Sequence, residues 1–184
     1  PNKTYAIIGP SGSGKSTIVD LLMGLLRPSK GSIKYGHIDQ KKLNLKSFRN
    51  KVSYISQNIS LFDGTIKENL LMGKSKRHKD IIDICKLCMA FDFINSTPKK
   101  FDTLIGENAI KISGGQKQRI LLARALLSDS EIIILDEATN QLDERSLSYI
   151  RKTVKKIKKS KTIIIISHQK NIRMLADKSY YITK

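Results

Sequence analysis

The chain has 184 residues, 40% of them hydrophobic, enough for one domain with a substantial core. Its net charge is +18, from 34 Lys and Arg against 16 Asp and Glu, but the basic residues are scattered and densest only at Lys155, Lys156, Lys158, Lys159 and Lys161, which reads as a solvated charged surface. The longest apolar runs, Ile132–Leu135 and Ile163–Ile166, fall far short of the ~20 residues of a membrane-spanning helix; no charged-then-apolar leader opens the chain, so any spanning helices must come from elsewhere.

In chain order, Thr4–Ile8 reads as a short buried strand running into a turn rich in Gly and Ser. Ile18, Leu21, Leu22 and Leu25 then recur at helical spacing, with Arg27-Pro28 as the expected stop. Gly31–Ile38 has hairpin character and Val52–Ser56 is β-like. From about Leu70 to Leu127 the pattern is mostly helical. Glu131–Asp136 and Lys161–Ser167 are Ile-rich strands suited to burial on both faces of a parallel sheet, and Leu142–Lys158 between them reads as a charged helix. Cys85 and Cys88 form a lone C-x-x-C on a helical stretch, without the further ligands of a zinc site; they read as two reduced, partly buried core residues, which suits the cytosol. The expected class is α/β, a mostly parallel sheet flanked by helices with a helical insertion.

The local chemistry starts at Gly9-Pro10-Ser11-Gly12-Ser13-Gly14-Lys15-Ser16-Thr17, which fits G-x-x-x-x-G-K-[ST] between a strand and a helix. Such a loop curls backbone N–H groups around phosphate oxygens, and the helix presents its N-terminus to the same anion. Lys15 can reach the β- and γ-phosphates of a nucleoside triphosphate, and Ser16 can offer its hydroxyl to Mg²⁺. Ile132–Leu135 carries Asp136 and Glu137 to a strand's C-terminal end. Asp136 there suits Mg²⁺ and Glu137 suits a general base that polarises water.

Ile112-Ser113-Gly114-Gly115-Gln116 resembles the L-S-G-G-Q signature of ATP-binding-cassette (ABC) proteins, with Ile112 replacing Leu. With the phosphate loop and the acidic strand in family order, the resemblance covers nearly the whole chain. It implies a P-loop NTPase core at 1–69 and 128–184, an inserted ABC-specific helical subdomain at 70–127, and a single ATP-binding domain over 1–184. It also implies ATP with Mg²⁺, Gln57 as the Q-loop glutamine that contacts the metal, and His168 as the switch histidine at the γ-phosphate. Ala138–Asp143 resembles the D-loop, usually S-A-L-D; Asp143 fits, while Asn140 and Gln141 depart from it. Two such domains are expected head to tail, each ATP lying between one phosphate loop and the other's Ser113–Gln116.

Phe62–Asn69 is similar to a segment of exporter-type domains, and Gly106-Glu107-Asn108 to their G-E-x-G motif, with Ala109 in place of the last glycine. Export or lipid flipping at the cytoplasmic face of a membrane, with a transmembrane partner and no nucleic acid, is therefore expected. The alternatives are a soluble ABC ATPase acting on DNA or the ribosome, and a module that binds nucleotide without hydrolysis. The family also places an adenine-stacking aromatic and a small β-subdomain upstream of the loop. Gly9 leaves no room for them, so the chain is expected to be a fragment.

Overall fold

The computed structural model describes residues 1–56, 60–106, 112–137, 153–158 and 160–183. The strands are β1 (Thr4–Ile8), β2 (Lys34–Tyr35), β3 (Ile38–Asp39), β4 (Val52–Ile55), β5 (Gly64–Thr65), β6 (Leu104–Ile105), β7 (Ile132–Asp136), β8 (Thr162–Ser167) and β9 (Lys178–Tyr181). The helices are α1 (Lys15–Leu22), α2 (Leu45–Asn50), α3 (Ile66–Leu71), α4 (His78–Leu87), α5 (Phe91–Ser96) and α6 (Gly114–Leu127), and residues 153–157 are also helical.

Five strands form one sheet in the order β4-β7-β8-β1-β9, and every neighbouring pair is parallel. Its central strands β7, β8 and β1 are Ile-rich because both of their faces are covered and β-branched side chains pack well on a pleated surface. Side chains alternate between the faces. Ala6, Ile8, Ile133, Leu135, Ile163 and Ile165 pack with the helices of the 66–127 region, whereas Ile7, Ile134 and Ile166 pack with Val19 and Met23 at α1. The phosphate-loop helix thus lies on one face and the signature helix on the other. No described helix is long and apolar enough to cross a membrane.

Three elements differ from expectation. Helix α1 ends at Leu22, well before Pro28, and Leu25 lies beyond it, exposed. A Schellman turn closes it: Gly24 N–H donates to Leu21 O and Leu25 N–H to Asp20 O. Strand β6 appears inside the stretch read as mostly helical and pairs antiparallel with β5 just before that stretch, Gly64 with Ile105 and Thr65 with Leu104. Strand β9 completes the sheet beside β1 where no strand was expected. Of the helix expected over Leu142–Lys158, only its last part lies within the described residues.

Asn69, fully buried in α3, fastens the loop before it. Its Nδ2 donates to Phe62 O and Thr65 O, and its Oδ1 accepts from Phe62 N–H. Arg124 of α6 donates to Asn69 O (2.6 Å) and to Asn69 Oδ1 (2.9 Å). Cys85 and Cys88 are free thiols buried in the same core, as their apolar surroundings imply.

Candidate functional site

The carboxyl ends of β1, β7, β8 and β4 lead respectively into Gly9, Glu137, His168 and Ser56. Parallel strands therefore bring residues far apart in sequence to one edge of the sheet, where open α/β sheets hold ligands. A cleft of about 480 Å³ opens there, lined by Ser11, Gly12, Gly14, Lys15, Ser16, Thr17, Tyr54, Ser56, Asp136 and Glu137.

The loop has the backbone that its composition suggests. Gly12 and Gly14 stand at φ 74° and 89°, and Gly14 occupies the N-cap of α1. Gly9 is needed for a different reason: a Cβ there would lie 2.6 Å from Ser13 Oγ and 2.7 Å from Ile182 O. Pro10 O accepts from Ser13 N–H at 3.2 Å. Ser13 Oγ itself is buried and has no hydrogen-bond partner among the described residues. Lys15 is only 6% exposed. Its ammonium donates to Gly9 O (3.0 Å) and Pro10 O (2.8 Å), so a concentrated positive charge sits inside the curl of the loop.

Across the cleft, Asp136 is 7% exposed and accepts a 2.9 Å hydrogen bond from the Tyr54 hydroxyl on Oδ2. Burial pushes the Asp136 carboxyl above its ordinary range; the Tyr54 bond opposes that rise and the neighbouring Glu137 carboxylate adds to it. Tyr54 is pushed upward by burial and by Asp136, so its hydroxyl stays protonated and is a donor. Glu137 has φ 53°, a left-handed backbone that a non-glycine residue adopts at a cost of order 1 kcal/mol. Its N–H is held by Ile166 O at 2.9 Å. His168, exposed at the end of β8, places Nδ1 3.6 Å from Glu137 Oε1. Ser16 and Asp136 offer a hydroxyl and a carboxylate to one cleft, hard oxygen donors of the kind a Mg²⁺ ion accepts.

Ser113 and Gln116 close the start of α6 with a reciprocal capping box. Ser113 Oγ accepts from Gln116 N–H and Gln116 Oε1 from Ser113 N–H. Neither these residues nor Gly114 and Gly115 line the cleft. The structure therefore brings the phosphate loop, Asp136 and Glu137 together with His168 close by, and leaves the signature apart from them. Gln57, Asp143 and the Glu107–Ala109 stretch lie outside the described residues. Tyr54 was missed by sequence reasoning. The only available signal was its period-two alternation with Val52 and Ser56 in a strand leading to the cleft.

Similar proteins agree with this geometry. The sequence model of the ABC transporter family matches residues 1–140. An ATP-dependent lipid A-core flippase of Wigglesworthia glossinidia brevipalpis is 45% identical over 90% of the chain and 29% of its own length. P-glycoprotein 14 of Caenorhabditis elegans is 40% identical over 100% of the chain and 14% of its own length. A solved bacterial Atm1-family ABC exporter with ATP bound superposes with a TM-score of 0.90 at 32% identity, over 99% of the chain and 32% of its own. The chain thus spans less than a third of the length of each of these proteins. With the phosphate loop, the acidic strand end and the capped signature helix all in place, the chain belongs to the ABC transporter family and has the fold of that family's nucleotide-binding ATPase.

Proposed function

We propose that residues 1–184 form one ATP-binding domain that hydrolyses ATP to drive export or flipping of a substrate across a membrane. Its core is 1–69 with 128–184, and 70–127 is the helical insertion. The observation that carries this reading is one cleft shared by a buried lysine, a buried aspartate and a strained glutamate. Gly9–Thr17 wraps the phosphates and Lys15 turns from its loop carbonyls to the β- and γ-oxygens. Ser16, Asp136 and Gln57 would hold a Mg²⁺ ion, which would supply neutralising charge to those oxygens. Glu137 accepts a proton from water, whose oxygen attacks the γ-phosphorus as the bond to the β–γ bridging oxygen breaks. His168 contacts the γ-phosphate beside Glu137 and holds it in line.

The signature's distance from the cleft supports a second copy, arranged head to tail. Ser113, Gly114, Gly115 and Gln116 then serve the opposite ATP, and Asp143 lies between the two sites. Transmembrane helices from an associated or fused segment would place the domain at the cytoplasmic face. Relatives that include a flippase and a P-glycoprotein do not favour the reading as an ATPase of DNA or the ribosome.

In the full-length protein, Glu137→Gln is expected to lower ATP hydrolysis by at least ~100-fold, the usual scale for losing a general base, while ATP still binds. Hydrolysis at the wild-type rate would reject the mechanism. Loss of binding as well would remove Glu137 from the role of base.

A further inference from the structure

The phenol of Tyr54 lines the cleft and has no part in the mechanism above. Tyr54 pairs with Ile134 across the parallel β4–β7 ladder, so Asp136 lies two residues further along the neighbouring strand and on the same face. Two residues of strand span about 6.6 Å, a gap that only a long side chain closes. The ring packs against the apolar cluster of Ile7, Val19, Met23, Ile134 and Ile166, which fixes its direction. Its hydroxyl then meets Asp136 Oδ2 at 2.9 Å.

A carboxyl group turns freely about its last bond, because that torsion is broad and roughly two-fold. A donor anchored on another strand removes this freedom. It fixes Oδ2, and with it the plane of the group and the direction of the other oxygen. Among the described residues that line the cleft, no other side chain donates to this carboxylate.

We propose that Tyr54 is a positioning residue for the metal-bound nucleotide: by holding the Asp136 carboxylate in one orientation, it presents a divalent cation arriving with ATP with a preset oxygen ligand. This rests on Asp136 being the metal-side carboxylate. The phenol touches neither metal nor phosphate in this role, so its removal weakens the metal and leaves metal-free nucleotide binding alone.

The test uses the full-length protein, Mn²⁺ as the probe and paramagnetic resonance to count bound Mn²⁺ in the presence of ATP. ATP affinity is measured separately in excess chelator. Tyr54→Phe keeps the ring in its apolar seat, so the thermal midpoint should hold. Its Mn²⁺ affinity should fall about tenfold, the low end of the ~10–100-fold range for losing a partner that orients a metal ligand. Its chelator-measured ATP affinity should not change. Asp136→Asn should lose more Mn²⁺ affinity, and the double variant should equal Asp136→Asn alone, because the phenol acts through that carboxylate. Three results overturn the proposal: wild-type Mn²⁺ affinity in Tyr54→Phe, an equal loss of ATP affinity in chelator, or additive losses in the double variant. Wild-type Mn²⁺ affinity in Asp136→Asn would instead sink the reading of Asp136 on which the proposal stands. If Tyr54→Phe does not fold, Tyr54→Met offers an apolar filler without a donor, and the same outcomes decide.

Discussion

The ammonium of Lys15 has two sets of oxygens within its compass. In the structure it is bonded to the carbonyls of Gly9 and Pro10, so phosphate must draw it away from them. Lys15→Ala therefore removes a charge-assisted contact to ATP and also leaves two loop carbonyls without this donor. ATP affinity is expected to fall by roughly 100-fold or more, the scale of ~3 kcal/mol for a charged hydrogen bond. The thermal midpoint without nucleotide should drop by a few degrees, since lost hydrogen bonds cost about 1 kcal/mol each. Calorimetric titration and a melting curve check both, and unchanged affinity would remove Lys15 from the site. This residue was legible in the sequence because the loop's conformation is local, written in consecutive glycines between a strand and a helix. Tyr54 was not, because its partner lies 82 residues away on another strand and nothing in its neighbours announces a contact made across a sheet.

Among the elements, α4 offers a test through its thiols. Burial pushes the Cys85 thiol up to about 12, and Cys88 is raised as well, by burial first and then by Cys85. At pH 8 the Cys85 thiolate is then on the order of one in ten thousand molecules. Neither thiol should react with iodoacetamide in the native protein, and both should react once it is unfolded. The sign for stability follows from the same shift. From about pH 9 upward, the unfolded chain gives up thiol protons that the folded chain keeps, so stability falls as pH rises toward 12. Cys85→Ala should show a shallower decline between pH 8.5 and 10, measured by urea unfolding. An identical slope would mean that Cys85 ionises as easily folded as unfolded. The buried thiols could be anticipated from Ile81, Ile84 and Leu87 around them. The end of α1 could not be placed from Pro28, because the Gly24 turn stops the helix first. Pairs as short as β5–β6 carry too little sequence pattern to be seen, since two residues show no alternation.

At the scale of the whole molecule, the capped end of the signature helix does not line the cleft of its own chain. If two copies share their sites, a Lys15→Ala chain and a Gly115→Asp chain should complement each other. Mixed pairs then hold one site with both defects and one with neither. A Cβ at Gly115 meets nothing within 4 Å, and an acidic residue suits a helix N-terminus, so Gly115→Asp should fold while repelling a facing phosphate. Statistical mixing leaves about a quarter of the sites intact, as for random pairing into two-fold dimers, and hydrolysis should recover to that extent. No recovery despite mixed pairs would count against the arrangement. The family and most of the sheet were readable from one chain, since they depend on motifs and Ile-rich runs; the joining of β5 to β6 and of Asn69 to Arg124 was not, since it depends on where the chain returns.

Those joints act together. Phe62–Thr65 is bound through Asn69 to Arg124 in the signature helix, and through main chain to Leu104–Ile105. Ile66 N–H also donates to Thr103 O at 3.0 Å. Beside them Gly106 is so close to Asp63 that a Cβ would fall 1.8 Å from its Oδ1. The result is a linkage with no slack. Any displacement of Phe62–Thr65 would therefore strain the Asn69–Arg124 bonds and load the helix that Ser113 caps.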